Sequence, residues 1–156
     1  VLASLIHNAK ESKRIFVACG GLASLLENLH FHAENTVIQA TGLAVLLALS
    51  ARSVACIRLM VDAGAHEIVA ASLVAFPGDD KIVARATGLL ANMSNVPCVC
   101  PVLHRCGVLE LALRLRERRE AETHSALEEG QSATSSPFVQ DFVQYLVQNL
   151  QAHDEP

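Results

Sequence analysis

Residues 81–95 read Lys-Ile-Val-Ala-Arg-Ala-Thr-Gly-Leu-Leu-Ala-Asn-Met-Ser-Asn. Apolar residues recur in this stretch at steps of three and four, which is the spacing of one wide apolar face on an α-helix. Arg85, Gly88 and Asn92 fall in a line along a second face of the same helix. The quartet Ala-Thr-Gly-Leu within it also occurs 46 residues earlier, at 40–43 (86 − 40 = 46). The chain is therefore predicted to be an array of helical repeats, with this helix as its best-preserved copy.

Three glycines mark a second periodicity. Gly20, Gly64 and Gly107 are spaced by 44 and 43 residues (64 − 20 = 44, 107 − 64 = 43), and apolar residues precede each at matched offsets. A period of about 40–47 residues with two or three helices is typical of a helical solenoid. We therefore predict one all-α domain over residues 1–156. Its predicted parts are the end of a preceding repeat at 1–9, repeats at 10–51, 52–95 and 96–152, and a flexible insertion at about 120–136.

The predicted insertion and the helix starts rest on local chemistry. Residues 120–136 are rich in Glu, Ser, Thr, Ala and Gly, a composition that cannot bury a core. Asn35 and Ser53 each precede a helical pattern, and their side chains can cap its first turn. The turn 77–80, Pro-Gly-Asp-Asp, ends one helix and caps the next. Ser136-Pro137 pairs a cap with a proline at the first helical position.

Composition narrows the class of protein. Hydrophobic residues make up 51% of the 156, aromatic residues only 4%, and Trp is absent. A core of Leu, Val, Ile and Ala suits closely stacked helices better than a β-sandwich or barrel. The formal charge of −4 gives no general attraction to nucleic acid or to acidic membranes. No uninterrupted apolar run of about 18 residues occurs, so no membrane span is predicted.

Five cysteines raise the question of a disulfide scaffold or a metal site. The odd count argues against a disulfide framework. Cys98, Cys100, His104 and Cys106 can be written as a metal site, but two prolines interleave with them and no second Cys-x-x-Cys pair exists. We favour burial of small free thiols, also for Cys19 and Cys106 beside the repeat glycines. We expect no metal or other cofactor, and reduced thiols favour an intracellular, cytoplasmic protein.

The arrangement resembles the armadillo repeat family over nearly the whole chain except the insertion. Family repeats have a short helix, a glycine among small residues, a second helix and a long third helix. The matching segments are Cys19-Gly20-Gly21, Ala63-Gly64-Ala65 and Cys106-Gly107-Val108. The family's third helix carries an alanine and, six residues later, an asparagine, which Ala86 and Asn92 match. Asn149 fits with Val143 in the alanine place, whereas Leu46 replaces the asparagine in the copy that begins with Ala40.

This resemblance implies a right-handed α-solenoid of armadillo-like three-helix repeats. HEAT repeats, which usually have two helices and lack that asparagine, are the alternative. In nuclear transport receptors of the armadillo family, Trp side chains one turn before the asparagines form slots for basic residues. Ser4, Gly42, Gly88 and Tyr145 stand at those positions here, so a nuclear transport receptor is the less favoured function. We attribute these mid-helix glycines to close helix packing rather than to close approach of a ligand.

The third helices of such an array line the concave face of the superhelix, so the resemblance implies a groove for an extended or helical protein segment. Asparagine side chains would offer donors and an acceptor to the partner's main chain; the alternative is that each asparagine braces its own repeat. Arg85 favours an acidic partner segment, and Tyr145 is expected to be an aromatic anchor. The predicted groove residues are Asn8, Gln39, Arg85, Asn92, Tyr145 and Asn149.

Three function classes follow from these observations. The leading one is a non-enzymatic scaffold or adaptor that binds a partner protein segment in the groove. The alternative is a structural subunit built permanently into a larger assembly, with a nuclear transport receptor as the third class. An enzyme is disfavoured because no phosphate-binding loop, zinc-protease motif or nucleophile motif occurs in the sequence.

Overall fold

A computed structural model describes residues 10–128 and 137–153, apart from the side chains of 126–128 and 137–138. Over that range the chain forms α-helices and no strand, which confirms the prediction of an all-α protein for the described residues. The helices are α1 (Lys10–Ala18), α2 (Gly21–Phe31), α3 (Thr36–Ser50), α4 (Val54–Asp62), α5 (Ala65–Ala75), α6 (Asp80–Ser94), α7 (Cys100–Arg105), α8 (Val108–Glu128) and α9 (Pro137–Ala152).

Side-chain caps begin three of these helices where the sequence predicts them. The Asn35 carboxamide oxygen accepts hydrogen bonds from two backbone N–H groups of α3, each at 3.1 Å. Asp79 does the same for α6, at 2.9 and 3.1 Å. The hydroxyl of Ser53 accepts from the N–H of Cys56 in α4 at 3.3 Å. Each cap satisfies donors that have no partner inside the helix.

A left-handed glycine separates the first and second helix of each consecutive set of three. Gly20, Gly64 and Gly107 have φ values of 76°, 76° and 69°. Residues with a Cβ rarely adopt this conformation, whereas glycine adopts it at little cost. The same sharp turn therefore recurs along the chain at intervals of 44 and 43 residues.

The third helices of the three sets, α3, α6 and α9, pack side by side in a row with α6 in the middle. The contacts of α6 with α3 and with α9 are the most extensive between helices of the described chain. Helix α6 also packs against α5 and α7, and ten of its fifteen residues are buried. Helix α6 is therefore the central element of the core, and we call α3, α6 and α9 the third-helix row.

One part of the predicted insertion is wrong. Helix α8 continues to Glu128, so residues 120–128 are helical, while 129–136 lie outside the described residues. Poor burial does not prevent helix formation here, because Glu, Arg and Ala are strong helix formers even on a solvent-exposed helix. An ion pair one turn apart, Arg118 to Glu122 at 2.8 Å, adds to this preference. Arg119 on the same helix is buried and contacts Asp80 of α6 at 2.6 Å, which fixes α8 to the row.

The structural repeat and the sequence repeat differ by two residues. The caps Asn35 and Asp79 are 44 positions apart (79 − 35 = 44), and α3 and α6 end at Ser50 and Ser94 with the same spacing (94 − 50 = 44). The two Ala-Thr-Gly-Leu quartets are 46 apart and so occupy different positions in the two helices. Because each residue turns an α-helix by about 100°, a shift of two residues places identical residues on nearly opposite sides of the two helices.

Two further predictions concern residues 1–9 and the absence of a membrane span. Residues 1–9, predicted to be the end of a preceding repeat, lie outside the described residues. Within the described ranges, no helix combines the length and the apolar character that a membrane crossing requires.

Candidate functional site: the exposed face of the third helices

Gln39 was predicted to line the groove, and this prediction is wrong. The side chain is 2% exposed. Its Nε2 donates to the carbonyl oxygens of Leu29 and His32 at 2.7 and 3.1 Å, and its Oε1 accepts from the Ser72 hydroxyl at 2.8 Å. Gln39 thus ties α3 to α2 and α5 inside the core. The reason is the two-residue offset, which makes Thr41 the counterpart of Arg85 (85 − 44 = 41) and turns Gln39 inward.

Arg85 lies between α3 and α6 at one end of the row. Its Nη1 donates to the carbonyl oxygen of Ala40 at 2.7 Å, and the side chain is half-buried. No ion pair joins Arg85 to a carboxylate among the described residues. The side chain borders a shallow groove of about 340 Å³ between the two helices. The groove is lined by Thr36, Val37, Ala40, Thr41, Asp79, Lys81 and Arg85.

Asn92 and Asn149 make equivalent contacts across the two seams of the row. Nδ2 of Asn92 in α6 donates to the hydroxyl of Ser50 at the end of α3, at 2.8 Å. Nδ2 of Asn149 in α9 donates to the hydroxyl of Ser94 at the end of α6, at 3.1 Å. Each serine in turn donates to a carbonyl oxygen of its own last helical turn. These contacts favour the bracing interpretation of the two asparagines over a ladder of free amides.

Tyr145 lies on the exposed face of α9, at the other end of the row. Its hydroxyl donates to Oδ1 of Asn95 at 2.7 Å, and Nδ2 of Asn149 donates to the same oxygen at 3.1 Å. The phenol is therefore held in place while its ring stays exposed. The partly exposed Phe142 lies one turn before it on α9 and approaches Gly88 of α6.

The six predicted site residues are thus brought together only in part. Arg85, Asn92, Tyr145 and Asn149 lie along the third-helix row, Gln39 lies in the core, and Asn8 lies outside the described residues. Sequence reasoning missed other residues of the same face. We call the exposed and half-buried set the third-helix surface: Val37, Thr41, Lys81, Arg85, Asn92, Phe142, Tyr145 and Asn149. A 44-residue register would have revealed Val37 and Thr41, because they are the counterparts of Lys81 and Arg85.

The cysteines of the metal site considered above are spread over different environments. Cys100 is fully buried, its Sγ donates to the carbonyl oxygen of Ser94 at 3.3 Å, and burial raises the pKa of its thiol. Cys98 is exposed. Cys19 and Cys106, which we expected to be buried, are also exposed because they lie in the turns before the left-handed glycines.

One other group in the described ranges brings metal-binding side chains together. Ligand atoms of His66, Glu67 and Cys106 lie within 4.8 Å of one another. Structural zinc sites use four protein ligands, so this group is one ligand short. Two of its members are exposed, and exposed acidic side chains need no bound metal to explain them.

Comparisons of the chain with protein-family models, with curated proteins and with solved structures found no match. The relation to armadillo repeats therefore rests on the sequence pattern described above and is taken up below as a proposal.

Proposed function

We propose that this protein is an armadillo-like repeat protein, a right-handed solenoid that acts as a non-enzymatic interaction scaffold. In this proposal the third-helix surface is the concave face and binds an extended or helical segment of a partner protein. Recurrent left-handed glycines and a row of parallel-stacked third helices support the armadillo comparison. An intracellular, cytoplasmic location is part of the proposal, because the five free cysteines of the chain suit a reducing compartment.

The observation that carries the proposal is the uneven chemistry of the third-helix surface. At the α3–α6 end, Lys81 and Arg85 present positive charge beside the 340 Å³ groove, and the one carboxylate of its lining, Asp79, is engaged in capping α6. At the α9 end, Phe142 and Tyr145 present aromatic rings. Exposed aromatic rings and arginines are the residue types that concentrate binding energy in protein interfaces. A partner segment with carboxylates at one end and apolar side chains at the other would match both.

In this proposal the predicted residues have separate tasks. The amide nitrogens of Asn92 and Asn149 already bond the neighbouring helix, so their main task in this proposal is to hold the helices of the row in register. Arg85 and Tyr145 each use one polar group within the protein and keep the rest of the side chain for a partner. Binding therefore depends chiefly on Arg85 and on the two aromatic rings.

Site-specific photo-crosslinking tests the proposal with a matched pair of valines. Val37 on the third-helix surface is 72% exposed, and Val74 on α5 is 67% exposed. Benzoyl-phenylalanine is introduced at either position, and crosslinked proteins from cells are identified. The proposal predicts one recurrent partner from position 37 that is absent from position 74. Adding Arg85→Glu should abolish that product, whereas Arg58→Glu, an exposed arginine on α4, should leave it unchanged.

Two results would count against the scaffold proposal. Crosslinks from position 74 alone would move the interface to the second helices. If Arg85→Glu and Arg58→Glu reduce the crosslinked product from position 37 equally, the effect is one of overall charge and does not locate a binding surface.

A structural subunit is the second candidate, and a specific observation favours it. Phe31 at the end of α2 is 83% exposed, and Val74 near the end of α5 is also largely exposed. Large apolar side chains on this second-helix side are typical of surfaces that become buried in an assembly. Sedimentation velocity separates the two candidates: a scaffold sediments as a monomer, whereas an assembly subunit self-associates through this side. Phe31→Ser should then restore the monomer.

A further inference from the structure

A second groove lies between α1 and the start of α4, and it shares no residue with the third-helix surface. Its volume is about 530 Å³, within the range of ligand-binding pockets. The lining residues are Lys10, Lys13, Arg14, Val17, Ala18, Ala51, Arg52, Ser53, Ala55, Cys56 and Leu59. Four of these are cations and none is acidic. We call this feature the basic groove.

Lys13 is the least usual member of the basic groove because its charge is buried. The side chain is 5% exposed, and its Nζ donates to the carbonyl oxygen of Ala51 at 2.6 Å. An ammonium group has three N–H donors, and no carboxylate lies within ion-pair distance among the described residues. Burial lowers the pKa of Lys13, because removing a charge from water without a counter-charge is unfavourable. A bound anion would supply the missing counter-charge.

The other cations enlarge the same positive region. Arg52 and Lys10 are exposed at the rim. Arg14 is exposed as well, and its contact with Glu11 at 3.3 Å is a surface ion pair of little strength. The nine-residue helix α4 begins at this groove, so that the positive end of its dipole adds to the field of the side chains.

The floor of the basic groove is apolar. Val17 and Ala18 contribute from α1, and Ala55, Cys56 and Leu59 contribute from α4. Leu59 is exposed, so this side of the groove is open to a ligand. The floor carries no aromatic ring on which a nucleic-acid base could stack, and the chain as a whole is acidic. A ligand that fits must therefore combine negative charge with apolar groups.

We propose that the basic groove is a second docking site, which binds a short acidic segment of a partner protein. Carboxylates of the segment contact Lys13 and the rim cations, and leucine-like side chains contact the floor. The match of four cations with an apolar floor is the argument for this occupant, since electrostatic complementarity selects the partner. This inference is independent of the scaffold function, because the two surfaces use different residues and different helices.

Fluorescence polarisation on the full chain tests the inference. The probe is a fluorescein-labelled peptide of four Glu-Glu-Leu units, and the matched neutral probe has four Gln-Gln-Leu units. We expect the acidic peptide to bind and the neutral one to bind at least about tenfold more weakly. Affinity for the acidic peptide should also fall as the salt concentration rises from about 50 to 300 mM, because salt screens exposed charges.

Matched charge reversals locate the bound peptide. The Arg14→Glu/Arg52→Glu variant should raise the Kd at least about tenfold, and Lys10→Glu should raise it severalfold. The Arg58→Glu/Arg105→Glu variant makes the same change of net charge at exposed arginines outside the groove, and its Kd should stay within about threefold of wild type. Circular dichroism melts of all variants confirm that each is folded.

Three outcomes would overturn the inference. The acidic and neutral peptides could bind equally, or both double variants could lose binding equally. Inorganic phosphate or oleate could also displace the labelled peptide at a concentration below that of unlabelled peptide needed for the same displacement. The groove would then be assigned to that competitor instead of to a protein segment. None of these results bears on crosslinking from position 37, so failure of this site and failure of the scaffold function are distinguishable.

Discussion

The two glycines of the repeated quartet have different neighbours. An alanine Cβ at Gly42 would lie 2.4 Å from Cδ2 and 2.9 Å from Cγ of Leu29, a fully buried side chain of α2. At Gly88 the nearest atoms would be Cδ1 of Leu47 at 3.5 Å and the ring of Phe142 at 3.7 Å, which are ordinary contacts. Close packing therefore requires the glycine at 42 but not at 88.

Alanine at these two positions should have opposite effects on stability. Gly42→Ala forces Leu29 to move, and we expect it to lower the free energy of unfolding by about 1–3 kcal/mol. Gly88→Ala fills available space and removes a flexible residue from a helix, so we expect a gain of about 0.5–1 kcal/mol. Urea denaturation followed by circular dichroism measures both. Changes of the same sign would show that the two positions are equivalent after all.

The buried charge of Lys13 makes stability depend on alkaline pH. Its folded-state pKa is below the ordinary 10.5, so the cost of burying the ammonium is fully present below that lowered pKa. As the pH rises from the lowered value towards 10.5, the folded state loses its proton first and the cost disappears. The stability of wild type relative to Lys13→Met should therefore increase over this interval. Urea midpoints at several pH values test this, with Lys10→Met, a substitution at an exposed lysine of the same helix, measured as the matched control.

At the scale of elements, local chemistry explains which predictions held. Helix starts at Asn35 and Ser53 could be predicted because a cap depends on residues within one turn. The end of α8 could not be predicted from poor burial, because an exposed helix is stabilised by propensity and by ion pairs. Gln39 is the counterpart of Arg85 when the repeats are aligned by the quartet (85 − 46 = 39), whereas the helix caps follow a register of 44 residues, in which the counterpart is Thr41. Identical residues in the two quartets thus indicate the structural register less well than equivalent helix caps do.

The seam between α3 and α6 gives a prediction at this scale. Asn92→Ala should lower the free energy of unfolding by about 1 kcal/mol, because it removes a hydrogen bond to the Ser50 hydroxyl. Ser50→Ala should cost a similar amount. In a double-mutant cycle the two effects should be coupled by about 0.5–1.5 kcal/mol. Strictly additive effects would mean that the hydrogen bond between Asn92 and Ser50 does not stabilise the fold, so that bracing is not the role of Asn92.

At the scale of the whole molecule, the buried apolar residues form one continuous cluster from α2 to α9. No break separates the second set of three helices from the third, because α6 contributes to both. The sequence pattern indicated several repeats but not how strongly they are coupled. Coupling depends on side chains that meet across seams, which a single-sequence period does not reveal.

Two buried thiols can report on this coupling. Cys56 lies in α4, and Cys100 lies in α7, where burial raises its thiol pKa and so suppresses its reactivity in the folded state. If the domain unfolds as one unit, both thiols should become reactive towards a maleimide at the same urea concentration. Cys98, which is exposed, should react at all urea concentrations. Separate midpoints for Cys56 and Cys100 would show that the sets of helices unfold independently.

The two-residue offset between quartet and cap restricts how such repeats can recombine. A chimera that joins α3 to α6 by matching their quartets would change the distance from cap to helix end by two residues. Everything after the junction would be rotated by about 200°, so that side chains such as Arg85 or Asn92 would be forced towards the core. A crossover at the same number of residues after Asn35 in α3 and after Asp79 in α6 preserves both the buried and the exposed face of the joined helix. The most conspicuous identity between the two repeats is therefore a poor place for exchange, and viable duplications or deletions should come in units counted from the caps.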